Sequence, residues 1–238
     1  MDTTGLPRAV AEVLGAAPTV STAHEGMSGG VVLVDGRYWV KRGPHAIDEH
    51  ARLRWLAEHG IAVPEVVVFD RDVLVLADAG APSLARHPAP GALLGEALRG
   101  LHRLPIETCP FDGRLDAVLA RAAERVAAGS VDPADYDFDH HGLAPEQILA
   151  RLRDERPAEL ELVVAHGDYT PSNVLLGGIV IDVGALGVAD RYRDLALAVR
   201  DLRDDFGAGE VERFFAAYGL AEPDERRLEY YRLLDELF

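Results

Sequence analysis

The stretch that decides the fold reads His166-Gly167-Asp168-Tyr169-Thr170-Pro171-Ser172-Asn173, then Val174-Leu175-Leu176-Gly177-Gly178-Ile179-Val180-Ile181-Asp182. Two short apolar runs flank a Gly-Gly pair, and this pattern predicts a β-hairpin because glycine adopts the positive φ that a two-residue turn requires. Counting outward from the glycines places Leu176 opposite Ile179 and Asn173 opposite Asp182. Opposed side chains have Cβ atoms about 5 Å apart, so an amide oxygen and a carboxylate should meet at the open end of the hairpin.

Three oxygen-bearing side chains around this hairpin favour a metal-assisted phosphoryl-transfer site. Asn173 and Asp182 are suitable ligands for Mg²⁺, a hard cation usually held by one or two protein oxygens together with phosphates and water. Asp168 precedes the hairpin on a loop that Pro171 interrupts, and we interpret it as the catalytic base. Each residue alone is also a common turn former, so it is the combination that favours function.

Composition indicates a soluble globular protein. The chain has 238 residues, of which 48% are hydrophobic and 27% charged, enough to bury a sizeable core. No apolar run reaches the roughly 18 residues of a membrane span, and residues 1–5 lack the features of a signal peptide. Cys109 is the single cysteine, which excludes an intrachain disulfide. These features predict a cytoplasmic location.

The balance of charged residues restricts the classes of molecule that the protein can bind. Forty acidic and twenty-four basic residues give a formal net charge of −16, which disfavours nucleic acid and anionic membranes and suits a polycationic small molecule. A high acidic content also promotes solubility without any ligand. The sequence offers no signal for an obligate protein partner, and it leaves the oligomeric state open.

The order of predicted elements indicates an α+β fold with a small β-rich lobe and a larger helical lobe. We place a nucleotide-binding lobe at residues 1–78 and a catalytic and substrate-binding lobe at residues 79–238. Strands are predicted at Thr19 to Glu25, Val31 to Val34, Tyr38 to Lys41, Val66 to Phe69 and Val73 to Leu76, with one helix at Ile47 to His59. Later helices are predicted at Gly91 to Leu104, Arg114 to Ala128, Pro145 to Arg153, Arg191 to Arg203, Glu210 to Tyr218 and Asp224 to Leu237.

The first lobe contains two further candidate features. The glycine-rich segment 25–30, with Ser28 and Gly29, could bring backbone N–H groups close to phosphate oxygens, although such loops are usually simple turns. Lys41 ends a strand and Glu49 lies on the following helix, the order expected of a kinase lysine and the glutamate that orients it. A strand lysine alone is normally solvent-facing.

Two features of the second lobe permit either a structural or a functional interpretation. His166 could act as an acid or base, but we expect its ring to bond neighbouring backbone groups. The acidic loop 131–142, which includes Asp135 and Asp137, could bind a cationic ligand or simply lie in solvent.

Several motifs together resemble those of the aminoglycoside phosphotransferases, most closely the 3′-phosphotransferases of the kanamycin and neomycin type. The similarity extends over nearly the whole chain in one order and is not a single short motif. The segments that carry it are 48–56, 108–112, 128–132, 166–173, 187–192, 200–202 and 230–238.

The resemblance implies a protein-kinase-like fold and a role for each candidate residue. Asp168 would be the base, Asn173 and Asp182 would hold Mg²⁺, and Lys41 with Glu49 would position the phosphates of ATP or GTP. The small residues from Ala77 to Gly80, including Ala79, would form the hinge that binds the adenine base. For the antibiotic, the resemblance points to Arg200, Asp235, Glu236 and the terminal carboxylate of Phe238, with acidic support from Asp135 and Asp137.

One departure from the family pattern leaves the acceptor open. The family normally has arginine after Asp-x-Gly, whereas this chain has Ala185 after Asp182-Val183-Gly184. Loss of an arginine leaves nearby carboxylates less well paired. The alternatives are a kinase of the same fold for streptomycin, another antibiotic or a small alcohol such as choline, and a nucleotide-binding protein with little catalysis.

Overall fold

The computed structural model describes residues 6–15, 17–21 and 31–238. These residues fall into two compact units. The first comprises Met1–Pro82 and Leu175–Gly184, and the second comprises Ser83–Val174 and Ala185–Phe238. The predicted phosphate contacts Ser28 and Gly29 lie outside the described residues.

The first unit is built on an antiparallel sheet with the strand order β1-β2-β3-β5-β4 among the described residues. Its strands are β1 (Val20–Ser21), β2 (Val31–Val34), β3 (Tyr38–Arg42), β4 (Val66–Asp70) and β5 (Val73–Ala77), and its helices are α1 (Arg8–Leu14) and α2 (Pro44–Glu58). The predicted Asp35-Gly36 turn is confirmed, because both residues have positive φ and the Arg37 N–H donates to the Val34 carbonyl.

Helix α1 is an element that the sequence patterns did not predict. It has seven residues and no side-chain hydrogen bond at its N-terminal cap, and so short a helix is marginal in isolation. Its Val10 and Leu14 pack in a buried cluster with sheet residues such as Val40 and Val75. Tertiary packing against the sheet therefore stabilises this helix.

The hairpin after the central motif exists, but its turn is longer than predicted. Strand β7 (Val174–Leu175) pairs with β8 (Ile179–Val180), and residues 176–178 form the turn. The Gly178 N–H donates to the Leu175 carbonyl, so Leu176 belongs to the turn and its predicted pairing with Ile179 is wrong. Asn173 and Asp182 both lie outside the two paired strands, so their predicted opposition across the hairpin stays a prediction.

The second unit is mainly helical. Its helices are α3 (Gly91–Leu101), α4 (Leu115–Ala127), α5 (Pro145–Asp154), α6 (Tyr192–Phe206), α7 (Ala208–Tyr218) and α8 (Glu225–Asp235). An antiparallel pair, β6 (Leu162–Ala165) and β9 (Gly187–Asp190), was not predicted. Both strands are short and largely buried, so they lack the alternation that identifies a strand.

Close backbone contact joins helices α3 and α7. A Cβ atom at Gly95 would lie 2.4 Å from the Phe214 carbonyl oxygen, so only glycine permits this approach. The architecture is α+β, as predicted. Among the described residues, no helix has the length and apolar character that a membrane span requires.

Candidate active site

A buried ion pair connects the sheet of the first unit to helix α2. Lys41 on β3 donates to both carboxylate oxygens of Glu49, with Nζ–Oε1 and Nζ–Oε2 distances of 2.8 and 2.7 Å. Its ammonium also contacts the carboxylate of Asp182. The predicted lysine–glutamate pair is therefore present, and Asp182 lies beside it in the same unit.

The ammonium of Lys41 stays charged in this setting. Burial acts to lower the pKa of Lys41, but attraction to Glu49 and Asp182 outweighs it and raises the pKa. Asp182 has a φ of +55°, a left-handed conformation that aspartate adopts more readily than most non-glycine residues.

The segment after β5 is ordered by Asp78. Its carboxylate accepts hydrogen bonds from the Gly80 N–H at 2.7 Å and from the indole N–H of Trp39 at 2.9 Å. Ala77 is half-buried at the end of the strand, and Ala79 is exposed. Their contact with adenine stays a prediction.

In the second unit, Asp168 and Asn173 lie in direct contact. The Asn173 Nδ2 atom donates to the Asp168 carboxylate and to its carbonyl, each at 2.9 Å. Because the amide nitrogen is used in this way, the Asn173 side chain offers its oxygen to a cation. The residue ends a 3₁₀ turn at Pro171–Asn173 and is not part of a strand.

A fully buried carboxylate, not predicted from the sequence, holds the loop before Asp168. Asp194 on helix α6 accepts the backbone N–H groups of His166 and Gly167 at 2.7 and 2.8 Å. It also contacts His102 Nε2 at 2.9 Å. Burial acts to raise the pKa of Asp194, but hydrogen bonds from His102 and Gly167 hold it below its usual value.

The expected structural role of His166 is confirmed, since its Nδ1 atom accepts the Asp168 N–H at 3.3 Å. His102, which contacts Asp194 through Nε2, also contacts the Tyr218 hydroxyl at 2.8 Å through Nδ1. A chain of polar contacts therefore runs from α7 to the loop that carries Asp168.

Gly167 is required at its position for two reasons. Its φ is +87°, and a Cβ atom there would lie 2.5 Å from the Ala185 carbonyl oxygen and 2.9 Å from Arg193 Nη2. Arg193, which sequence reasoning missed, is buried, and its Nη1 donates to the Gly113 carbonyl at 3.4 Å. Burial lowers the pKa of this guanidinium. The guanidinium of Arg193 therefore lies near Ala185, although residue 185 is not itself the arginine that is usual in the family.

The residues predicted to bind a cationic acceptor form an acidic surface on the second unit. Arg200 bridges Asp201 and Asp235, with Nε–Oδ1 and Nη1–Oδ2 distances of 2.9 and 2.7 Å. Burial raises the pKa of Asp235 despite its pairing with Arg200, and the negative charge of Asp168 adds to the shift. The carboxyl of Asp235 therefore lies in the electrostatic field of the predicted base, and its side chain is 31% exposed.

Glu236 and Phe238 are held by hydrogen bonds from other parts of the second unit. Both Glu236 oxygens accept the Asp137 N–H at 3.2 Å, and Oε1 contacts His140 Nδ1 at 2.5 Å. The Phe238 oxygen accepts from Arg125 Nη2 at 2.6 Å. Asp135 lies exposed on the same acidic loop.

Comparison with known proteins identifies the family. The sequence profile described as the phosphotransferase enzyme family matches residues 19–231. The chain belongs to the phosphotransferase enzyme family. The resemblance drawn from the sequence motifs is therefore confirmed.

This phosphotransferase is 43% identical to an aminoglycoside 3'-phosphotransferase of Streptomyces fradiae over 80% of its own length and 78% of the relative. Its fold matches the crystal structure of aminoglycoside-3'-phosphotransferase of type VIII with a TM-score of 0.83 and 37% identity, covering 94% of this chain and 95% of the other. It also matches the aminoglycoside phosphotransferase APH(3'')-Id from Streptomyces rimosus in complex with ADP and streptomycin, with a TM-score of 0.79, 28% identity and coverage of 96% and 95%. The predicted protein-kinase-like fold is confirmed by these structures.

Proposed function

We propose that this phosphotransferase moves the γ-phosphoryl group of ATP or GTP to a hydroxyl of an aminoglycoside antibiotic, at the 3′ position of kanamycin- and neomycin-type compounds, and so confers resistance. The similarity to aminoglycoside 3'-phosphotransferases over four-fifths of the chain is the observation that carries this proposal. The acidic surface around Asp235 supports it, because an aminoglycoside carries several ammonium groups. A cytoplasmic location stays a prediction.

In the proposed mechanism, each unit supplies a different part of the chemistry. Lys41, oriented by Glu49, binds nucleotide phosphates, with Ala77 and Ala79 next to the base. Asp168 accepts or orients the proton of the attacking hydroxyl, an effect typically worth 10² to 10⁴ in rate. Positioning by fixed groups supplies much of the remaining acceleration in phosphoryl transfer.

The chemistry of Asn173 and Asp182 fits a hard divalent cation. Asn173 offers an amide oxygen, and Asp182 offers a carboxylate beside Lys41. We propose these two residues as the protein ligands of Mg²⁺. When bound, Mg²⁺ would neutralise negative charge on the nucleotide phosphates.

For the acceptor, we propose that Arg200, Asp235, Glu236, Asp135 and Asp137, together with Phe238, form the binding surface. Arg200 holds the carboxylate of Asp235 in one orientation, which leaves its second oxygen for a substrate ammonium. Streptomycin is a second candidate acceptor. The similarity to a phosphotransferase in complex with streptomycin favours testing it, and so does the alanine at position 185.

A single assay tests the reaction and the acceptor class. ADP release is measured with Mg²⁺, ATP and a panel of kanamycin, neomycin, amikacin, streptomycin and choline, and the phosphorylated position is assigned by NMR. We expect turnover with kanamycin and neomycin at the 3′-hydroxyl. A preference for streptomycin or choline would reassign the acceptor, and nucleotide binding without turnover on any acceptor would refute the proposed activity.

A further inference from the structure

The acidic loop 131–142 connects helices α4 and α5 and lies between two left-handed glycines. Gly129 and Gly142 have φ values of +64° and +90°. Most of the loop is exposed, and Phe138 on it is 86% exposed. Two of its side chains are nevertheless buried, those of Tyr136 and His140. These two side chains fasten the loop to the rest of the second unit.

His140 is the polar one of these two anchors. The Tyr136 hydroxyl has no hydrogen-bond partner among the described residues, so Tyr136 contributes apolar packing. Both ring nitrogens of His140 face carboxylates of helix α8 and the residue after it. Nδ1 lies 2.5 Å from Glu236 Oε1, and Nε2 lies 3.3 Å from Glu229 Oε1.

The contact between His140 and Glu236 is better shielded from water than the other ties of the loop. The side chains of His140 and Glu236 are 3% and 6% exposed. Arg232 of helix α8 also pairs with the loop, at 2.6 Å from Asp139, but the Asp139 side chain is 68% exposed. Exposed pairs contribute little to stability, whereas buried hydrogen bonds to charged groups contribute more.

His140 shares its carboxylate partner with the backbone of the loop. Glu236 accepts from His140 and from the Asp137 backbone N–H, so the same carboxylate fixes the ring and the loop backbone. Glu236 adjoins Asp235, whose side chain remains open to a ligand. If the loop moved away, the charge of Asp137 would no longer act on Asp235.

We infer that His140 is a positioning residue for the acceptor, which latches the acidic loop onto Glu236 and so sets the anionic surface that receives the ammonium groups of the substrate. This inference rests on the proposed function. His140 itself need not touch the substrate.

The test compares His140→Leu with His140→Asn and uses His141→Ala as the control. Leucine fills the buried space and removes the donor, whereas the Asn Nδ2 atom occupies nearly the place of His Nδ1. His141 is the exposed neighbour in the same loop. We expect His140→Leu to raise KM for kanamycin about tenfold, the loss of one hydrogen bond to a charged group, with KM for ATP and kcat little changed.

Partial rescue by His140→Asn and wild-type kinetics for His141→Ala would complete the expected result. An unchanged KM for kanamycin in His140→Leu would overturn the inference, and so would an equal rise in KM for ATP. If the leucine variant fails to fold, His140→Asn and His140→Ala are compared with the wild type, because neither changes a residue of the proposed binding surface. Each should raise KM for kanamycin alone, and wild-type values in both would overturn the inference.

Hydrogen exchange of the substrate-free protein separates failure of this inference from failure of the proposed function. We expect the Asp137 amide to be protected in the wild type and to exchange at least tenfold faster in His140→Leu. Equal exchange in the two proteins would overturn the latch even if kanamycin is a substrate. If the wild type turns over no aminoglycoside, the proposed function fails, and the exchange result still decides whether His140 fastens the loop.

Discussion

Replacing Asp194 by asparagine should both destabilise the protein and slow its chemistry. The carboxylate is fully buried and accepts from His166, Gly167 and His102 at 2.7 to 2.9 Å. Asparagine keeps one acceptor oxygen but turns an NH₂ group toward a second donor, so at least one buried N–H group loses its acceptor.

The size of the expected loss of stability follows from the burial of Asp194. Leaving a buried donor without its acceptor costs about 1 to 3 kcal/mol, a large share of the roughly 5 to 15 kcal/mol that stabilises a typical domain. Asp168 follows directly after Gly167, and a displacement of about 1 Å at a reacting group costs on the order of 10² in rate. We therefore expect kcat to fall about a hundredfold in Asp194→Asn, with a smaller change in KM for ATP.

Urea unfolding followed by circular dichroism measures the stability, and ADP release measures kcat. Asp205→Asn is the matched control because Asp205 is an exposed carboxylate on the same helix, and we expect its free energy of unfolding to change by less than about 0.5 kcal/mol. Equal stability and equal kcat in Asp194→Asn and the wild type would refute the role assigned to this carboxylate.

Three more predictions concern the base, the altered family position and pH. Asp168→Ala should bind ATP as the wild type does in a fluorescence titration but lose about 10² to 10⁴ in kcat, and wild-type turnover would exclude this residue as the base. Ala185→Arg should lower KM or raise kcat for kanamycin, whereas unchanged kinetics would indicate that the arginine is not needed here. Burial raises the pKa values of Asp201 and Asp235, so these carboxyls bind protons at higher pH when folded than when unfolded. The contribution of these two carboxyls to the free energy of unfolding should therefore increase as the pH falls through their raised pKa values toward the usual 3.8, and urea unfolding in which Asp235→Asn kept the same pH dependence as the wild type would contradict this sign.

Local sequence signals predicted the elements that depend on local chemistry. The Asp35-Gly36 turn formed as expected because both residues tolerate positive φ. The Gly177-Gly178 signal correctly located a hairpin but gave the wrong turn length, because Leu176 joins the turn. Glycine pairs are compatible with turns of several lengths, so a register counted from them is uncertain by one residue.

Long-range contacts were outside the reach of sequence patterns. Asp194 lies within an ordinary amphipathic helix, and nothing near it in sequence indicates that it binds the loop 27 or 28 residues earlier. His140 and Glu236 are 96 residues apart. The Lys41 and Glu49 pair was predicted because its members are eight residues apart on adjacent elements and match a known functional order.

The two loops of the second unit are anchored by different helices. The loop that carries Asp168 depends on α6, α3 and α7 through Asp194, His102 and Tyr218, whereas the acidic loop is fastened to the end of α8. Substitutions confined to the acidic loop therefore leave the hydrogen bonds that hold the Asp168 loop in place. In the proposed mechanism, changes in the acidic loop would alter which acceptors bind without altering the residues that support the breaking of the phosphoanhydride bond.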